Sequence, residues 1–161
     1  MTALREPENR VSTRAPSYWR LTAAFGALVQ WTILITGYLL LPERPWWTTA
    51  LLVLLIVLSL VHLVAMPSIR FRIHRWEVTP TAVHTRSGWL SRAERIAPLS
   101  RVQTVDSNQS ALMRLFGLAS ITVTTASAAG PITIACLDDA TARRIVAELT
   151  EITGQAEGDA T

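Results

Sequence analysis

The sequence predicts a membrane-embedded α-helical hairpin followed by a small β-rich domain. Two long apolar segments lie back to back, nearly all charge lies outside them, and the pattern downstream changes to short alternating runs. Half of the 161 residues are hydrophobic, yet between Arg20 and Arg70 the only charged side chains are Glu43 and Arg44. A water-soluble domain spreads its charge along the whole chain, because its helices and strands each keep a wet face.

Leu21 to Leu41 is uncharged for 21 residues, about 31 Å as a helix and close to the hydrocarbon thickness of a bilayer. Thr48 to Met66 adds 19 residues dominated by Leu and Val, with Ser59 and His62 the most polar among them. The connector Pro42-Glu43-Arg44-Pro45 only reverses the chain, and its prolines suit helix boundaries. Trp46 and Trp47 mark one interface and Tyr18 and Trp19 the other, since amphipathic rings settle at headgroup level. A cleaved signal peptide is not expected, because the first segment exceeds an h-region and a second follows it.

The net charge of +3 hides a gradient: +2 over residues 1–20, +5 over 67–101 and −4 over 102–161. Arg5, Arg10, Arg14 and Arg20 precede the first helix, and Arg70, Arg72 and Arg75 follow the second. The positive-inside rule then places both termini in the cytoplasm and the hairpin in the cell inner membrane. A basic chain also suggests nucleic acid. Here the cations flank the apolar segments, so topology is the preferred reading and no nucleic acid is expected. Cys136 is the only cysteine, which excludes an intramolecular disulfide and fits a reducing compartment.

The expected division is an N-terminal cytoplasmic arm (1–20), the hairpin (21–66, with helices 21–41 and 48–66), a cytoplasmic domain (70–153) and a disordered tail (154–161). Within the domain, turn signals at Thr79-Pro80-Thr81 and Ser87-Gly88 separate candidate strands Phe71–Val78, Ala82–Arg86, Leu90–Ala97 and Val102–Asp106. Phe71 and Ile73 are in one phase and Trp76 and Val78 in the other, so a bulge or a boundary falls near His74–Arg75. Ile121, Val123 and Thr125 alternate with threonines, as do Ile132 and Ile134, with a hairpin loop over Ala126–Pro131. Ser110–Gly117 reads as a short helix with Leu112, Leu115 and Phe116 on one face, ended by Gly117. A last helix has Asp138 as N-cap and an apolar stripe of Ala142, Ile145, Val146, Leu149 and Ile152.

The stretch RIAPLSRVQTVDSNQSALMRLFGLASITVTTA, residues 95–126, resembles the signature of the bacterial pleckstrin-homology-like domain of YdbS-type membrane proteins. It pairs Pro98 with the step Arg101-Val102-Gln103, then Gln109, Leu112, Arg114 and Phe116 to Ala119, then a Thr-rich strand. The preceding helix pair and the closing helix match as well, so the resemblance spans roughly residues 15–152. It implies a strongly bent antiparallel barrel or sandwich with a C-terminal capping helix. It speaks to fold and location more than to activity.

No catalytic or metal constellation stands out. Zinc needs three or four ligands at recognisable spacing, and His74, His84, Glu77 and one Cys do not supply them. No nucleophile elbow, P-loop or H-E-x-x-H pattern occurs. An enzyme is not expected, and neither is a cofactor. Arg101, Gln103, Gln109 and Arg114 form the candidate binding patch. Its plainer reading is that these side chains satisfy backbone around the short helix. Arg70, Arg72, Arg75, Arg92 and Arg95, with Arg86 in the same run, are candidate contacts to anionic lipid, with Trp89 at a hairpin tip. For the first three, topology determination is an equal reading. Gln30 and His62 are intramembrane polar groups, either interhelical glue or part of a pathway. Ala23, Gly26, Ala27 and Gln30 share a face that packs on helix two or on a second copy.

The expected function is a membrane-anchored, non-enzymatic binding module that engages a protein partner or lipid headgroups. The alternative is a structural subunit of a larger membrane complex, assembled through the hairpin. A small oligomeric transporter around Gln30 is a third reading. The partners expected are the lipid bilayer and a membrane protein or further copies of the chain.

Overall fold

In a computed structural model of the chain, residues 6–126 and 130–158 are described, with side chains given through Ile152. Helix α1 spans Ala15–Leu39 and helix α2 spans Trp46–Ile73. Both are long and apolar enough to cross a membrane, and only 6% of each apolar window is buried by protein. They pack as an antiparallel pair around Ala27. Across it Trp31 Nε1 donates to Ser59 Oγ and the Tyr38 and Thr49 hydroxyls lie 2.8 Å apart.

The helices differ from expectation at their domain ends. α1 begins at Ala15 rather than Leu21, with Pro16 in its first turn, where the missing N–H costs nothing. α2 runs on past Met66 through Pro67 to Ile73, so the strand expected from Phe71 starts only at Arg75. An internal proline removes one hydrogen bond, and here that loss is accommodated. Arg70 and Arg72 in the last turn complement the helix dipole. The phase break near His74 is a boundary, not a bulge: the His74 N–H closes the helix on the Arg70 carbonyl at 2.9 Å.

Among the described residues, seven strands form two antiparallel sheets. In the first the order is β1 (Asn9–Arg10), β2 (Arg75–Val78), β3 (Ala82–Gly88) and β4 (Arg92–Pro98). In the second it is β5 (Val102–Asn108), β6 (Leu118–Thr125) and β7 (Ile132–Asp138). A 3-10 turn, Leu99–Arg101, links β4 to β5, and short helix α3 (Ala111–Leu115) links β5 to β6. Ser110 caps α3 by accepting from the Met113 N–H, and Gly117 ends it at φ 64°. Helix α4 (Asp139–Gly158) lays Ala142, Ile145 and Leu149 on the second sheet, fully buried against Leu118, Ile121 and Ile134. This helix continues past Gly154, where a disordered tail was expected. Residues 1–5 of the arm, 127–129 of the expected Ala126–Pro131 loop and 159–161 of the tail lie outside the described residues.

The N-terminal arm is built into the domain. Asn9 and Arg10 pair with β2, Pro7 is buried, and Ser12 joins the second sheet. Its N–H donates to the Cys136 carbonyl at 2.9 Å and its hydroxyl to Asp138 Oδ1 at 2.7 Å. Asp138 therefore holds the arm, while Asp139 pairs with Arg143 one helical turn on. The docking point is a β-bulge. The β6–β7 register slips between Ala119 and Ile121, and Cys136 takes φ 54°. Its N–H is satisfied by Ser120 Oγ, leaving its carbonyl for Ser12.

Where the hairpin meets the domain, Trp19 is 3% exposed. The Arg70 guanidinium lies 4.5 Å above its ring, and the His74 ring packs at 5.3 Å. His74 Nδ1 donates to the Arg70 carbonyl at 3.0 Å, and Nε2 accepts from Arg70 Nε at 3.4 Å. That pattern requires a neutral ring. Burial first, then the Arg70 charge, push the His74 pKa down to about 4, and burial pushes the Cys136 thiol up.

Two predictions follow from this architecture. Between about 6.5, the usual value, and about 4 the unfolded chain binds the His74 proton that the native chain refuses. The stability this contributes is complete above about pH 6.5 and is lost as pH falls toward 4, on the order of 2 kcal/mol. The thermal midpoint of the detergent-solubilised protein should fall across that window, and His74→Gln should flatten that part of the curve. At the β3–β4 turn Gly88 has φ 130°, and a Cβ there would lie 1.8 Å from the Ser91 carbonyl oxygen. Gly88→Ala should therefore cost about 1–3 kcal/mol, read as a lowered midpoint in the same experiment.

Candidate functional site

The cations singled out in the sequence separate into two groups. Arg70 is committed to Trp19 and His74, and Arg75 Nη1 donates to the Pro7 carbonyl at 3.5 Å. Both hold the junction together. Arg72, Arg92 and Arg95 are exposed. Trp89 packs edge-to-face on His62 at 5.0 Å, so the β3–β4 turn reaches alongside α2.

The four residues of the expected binding patch are not brought together. Arg101 lies at the start of β5, and Arg114 lies beyond its other end, in α3. Seven residues of strand between them span about 23 Å. Gln103 is exposed where the β5–β6 register slips between Val102 and Thr104. Gln109 is structural: its Nε2 donates to the Leu118 carbonyl at 2.8 Å and fixes the entry to α3.

Arg101 belongs to a different site. It lines a groove of about 320 Å³ between the β4 edge and the far end of the second sheet, with Arg95, Ile96, Pro98, Thr125 and Ile132. β4 is the last strand of its sheet, so its outer backbone groups pair with no neighbouring strand among the described residues. Arg95 Nη1 crosses the groove to the Pro131 carbonyl at 2.8 Å, and the Ala126 N–H closes one end on the Arg101 carbonyl. Glu94, the acid on the rim, is drawn away by Arg86 Nε at 2.8 Å. Arg86 also holds Glu6, and this pairing lowers the Glu6 pKa. The groove is thus cationic, with an apolar floor. Ile96 is 47% exposed on the same side of β4 as Glu94. An apolar residue on that wet side was the sequence signal for this site, and it was overlooked.

A second groove, about 520 Å³, runs along the hairpin and is lined by Ala23, Gly26, Ala27, Gln30, Leu55, Leu58, Ser59 and His62. The small-residue face therefore adjoins helix two. Gln30 itself is exposed, and the hydrogen bonds between the helices come from Trp31 and Tyr38 instead.

Comparison with known proteins agrees with this architecture. The Bacterial PH domain family matches residues 22–152. The transmembrane protein YdbS of Bacillus subtilis (strain 168) is 28% identical over 127 residues, 76% of this chain and 79% of that protein. No solved structure gives a significant match. Most of the hairpin, strands β2–β7 and the larger part of α4 fall inside a single family match, and so the chain belongs to the bacterial PH domain family, as a membrane protein with two transmembrane helices.

Proposed function

We propose that the protein is a non-enzymatic binding module of the cell inner membrane, with both termini in the cytoplasm. Its β-rich domain takes an extended, acidic segment of a membrane-protein partner. The observation that carries this reading is the open β4 edge beside the cationic groove. A strand added at such an edge gains main-chain hydrogen bonds, while flanking pockets read its alternate side chains. Ile96 and Ile132 offer apolar contact, and Arg101 offers a cation to a carboxylate. The orientation rests on the basic flanks of the hairpin, Arg14 and Arg20 on one side and Arg70, Arg72 and Arg75 on the other.

A photo-crosslinking residue in place of Ile96, in the full-length protein in native membranes, should trap a discrete partner. Arg101→Glu should reduce that adduct by about tenfold, the loss of one charge-assisted contact of roughly 1.5 kcal/mol. An adduct indifferent to Arg101→Glu, or none above that from a crosslinker at exposed Ser100, would overturn the assignment of the groove.

The hairpin groove favours a second reading, a structural subunit assembled through its helices. Gln30 is a polar group exposed at membrane depth, an arrangement that normally faces another protein. Replacing both helices with an unrelated hairpin distinguishes the two readings. The groove adduct survives the exchange if the domain recognises the partner and disappears if the helices do.

A further inference from the structure

Outside the two helices and their connector, the large hydrophobic side chains exposed among the described residues are Leu90, Ile96 and Leu115. Ile96 lies in the groove. Leu90 and Leu115 are 82% and 83% exposed, more than most residues of the membrane helices themselves. Each stands at a tip of the domain, Leu90 in the β3–β4 turn and Leu115 at the end of α3.

Both tips flank the hairpin toward its domain end. Trp89, next to Leu90, packs on His62. Phe116, next to Leu115, shares a groove with Leu63 and Val64 and packs edge-to-face on Tyr18 at 6.0 Å. Consecutive helical residues turn by about 100°, so the tips straddle α2. His62 is about 24 Å along the helix from Trp46, whose exposed ring marks the opposite interface, whereas hydrocarbon spans about 30 Å. The Trp89 tip therefore lies about 6 Å inside the hydrocarbon of the leaflet on the domain side, and the Phe116 tip, against Tyr18, lies nearer the headgroups. Arg20 emerges from α1 beside the same groove. Each tip also carries a cation: Arg92 follows Leu90 by two residues, and Arg114 immediately precedes Leu115. Both arginines are exposed.

We propose that the domain is itself embedded in that leaflet through the tips Trp89–Leu90 and Leu115–Phe116, with Arg92 and Arg114 against the phosphates of anionic lipids. The occupant is lipid because these surfaces continue the lipid-facing surface of the hairpin at its domain end. Apolar tips backed by arginines match the boundary they meet, hydrocarbon above and phosphate below. Positive-φ glycines bound both tips, Gly88 at the β3–β4 turn and Gly117 just past the end of α3. This surface is distinct from the β4 groove and does not depend on it.

The test uses full-length protein in vesicles of phosphatidylcholine with or without phosphatidylglycerol. Leu90→Cys, Leu115→Cys and Ser100→Cys are each labelled with an environment-sensitive dye. Ser100 is exposed at the end of β4 opposite the turn, and the unsubstituted chain, whose Cys136 is buried, serves as the labelling blank. Dyes at 90 and 115 should be quenched by nitroxides near the carbonyl end of the acyl chains, while the dye at 100 is not. Phosphatidylglycerol should deepen that quenching, and Arg92→Ser with Arg114→Ser should abolish the deepening. Quenching at 90 and 115 no greater than at 100 would overturn the proposal. So would dye burial that grows with the protein-to-lipid ratio but escapes the nitroxides, since that is the signature of a second copy covering the tips. A lipid-embedded tip with no groove adduct would reject the partner site and leave this inference standing.

Discussion

Where α2 leaves the bilayer, its last turns must bury apolar surface and find partners for cations within a few ångströms, and Trp19 allows both. The Arg70 guanidinium stacks on one part of the indole, His74 packs on another, and the thiol of Cys136 lies against it. A guanidinium over an indole is worth about 0.5–2 kcal/mol, depending on how dry the site is. Its larger effect here is positional. These four side chains belong to α1, to the end of α2 and to β7, so the hairpin and the second sheet are oriented by one contact. A charged histidine would have to abandon its bond from Arg70, and this is why the junction keeps the ring neutral.

The N-terminal strand makes the junction rigid from the other side. Residues 9–10 extend the first sheet, Ser12 bonds to the second, and Ala15 begins the membrane helix. Little chain is left between these anchors, so α1 cannot rotate without breaking a strand pair. None of this was legible in the sequence, where Arg5 to Arg20 reads as a polar arm with a topology signal. Two-residue strands carry no periodicity, and a bulge that turns the Cys136 carbonyl toward Ser12 leaves no mark in a string of alternating residues. The strongly periodic elements were legible because their pattern is their packing: the membrane helices, Leu118–Thr125, Ile132–Asp138 and the stripe of α4. Phe71–Ile73 misled for the opposite reason. Two apolar residues spaced by one look like a strand, and only the dipole-compatible cations and the His74 boundary show a helix continuing.

The candidate site was legible only in part. The motif that carries the family resemblance includes Arg101 and Gln109, yet the fold gives them unrelated tasks. Gln109 satisfies a carbonyl at the turn into α3, while Arg101 faces a groove whose other walls come from β4 and β7. Closeness in sequence suggested one patch, but β5 is an extended strand and carries its two ends far apart. The groove brings together residues from 94 to 132, and no local pattern joins them. Ile96 was the exception, because an apolar side chain in phase with Glu94 contradicts the wet side of a strand.

Helix lengths relate the site to the membrane. α2 extends for about 42 Å, well beyond the hydrocarbon thickness, and Trp46 and Trp47 mark where the excess is not. The surplus turns lie on the domain side, and their buried residues, Met66 and Pro67, are where the domain takes hold. The domain therefore surrounds the emerging helices instead of hanging from a linker. A tethered domain on a flexible chain samples a volume of solution, whereas this one is packed against the ends of both helices. The β3–β4 turn reaches α2 at His62, while the groove is formed where β4 ends and β5 begins. One strand thus carries an end that meets the hairpin and an end that lines the groove.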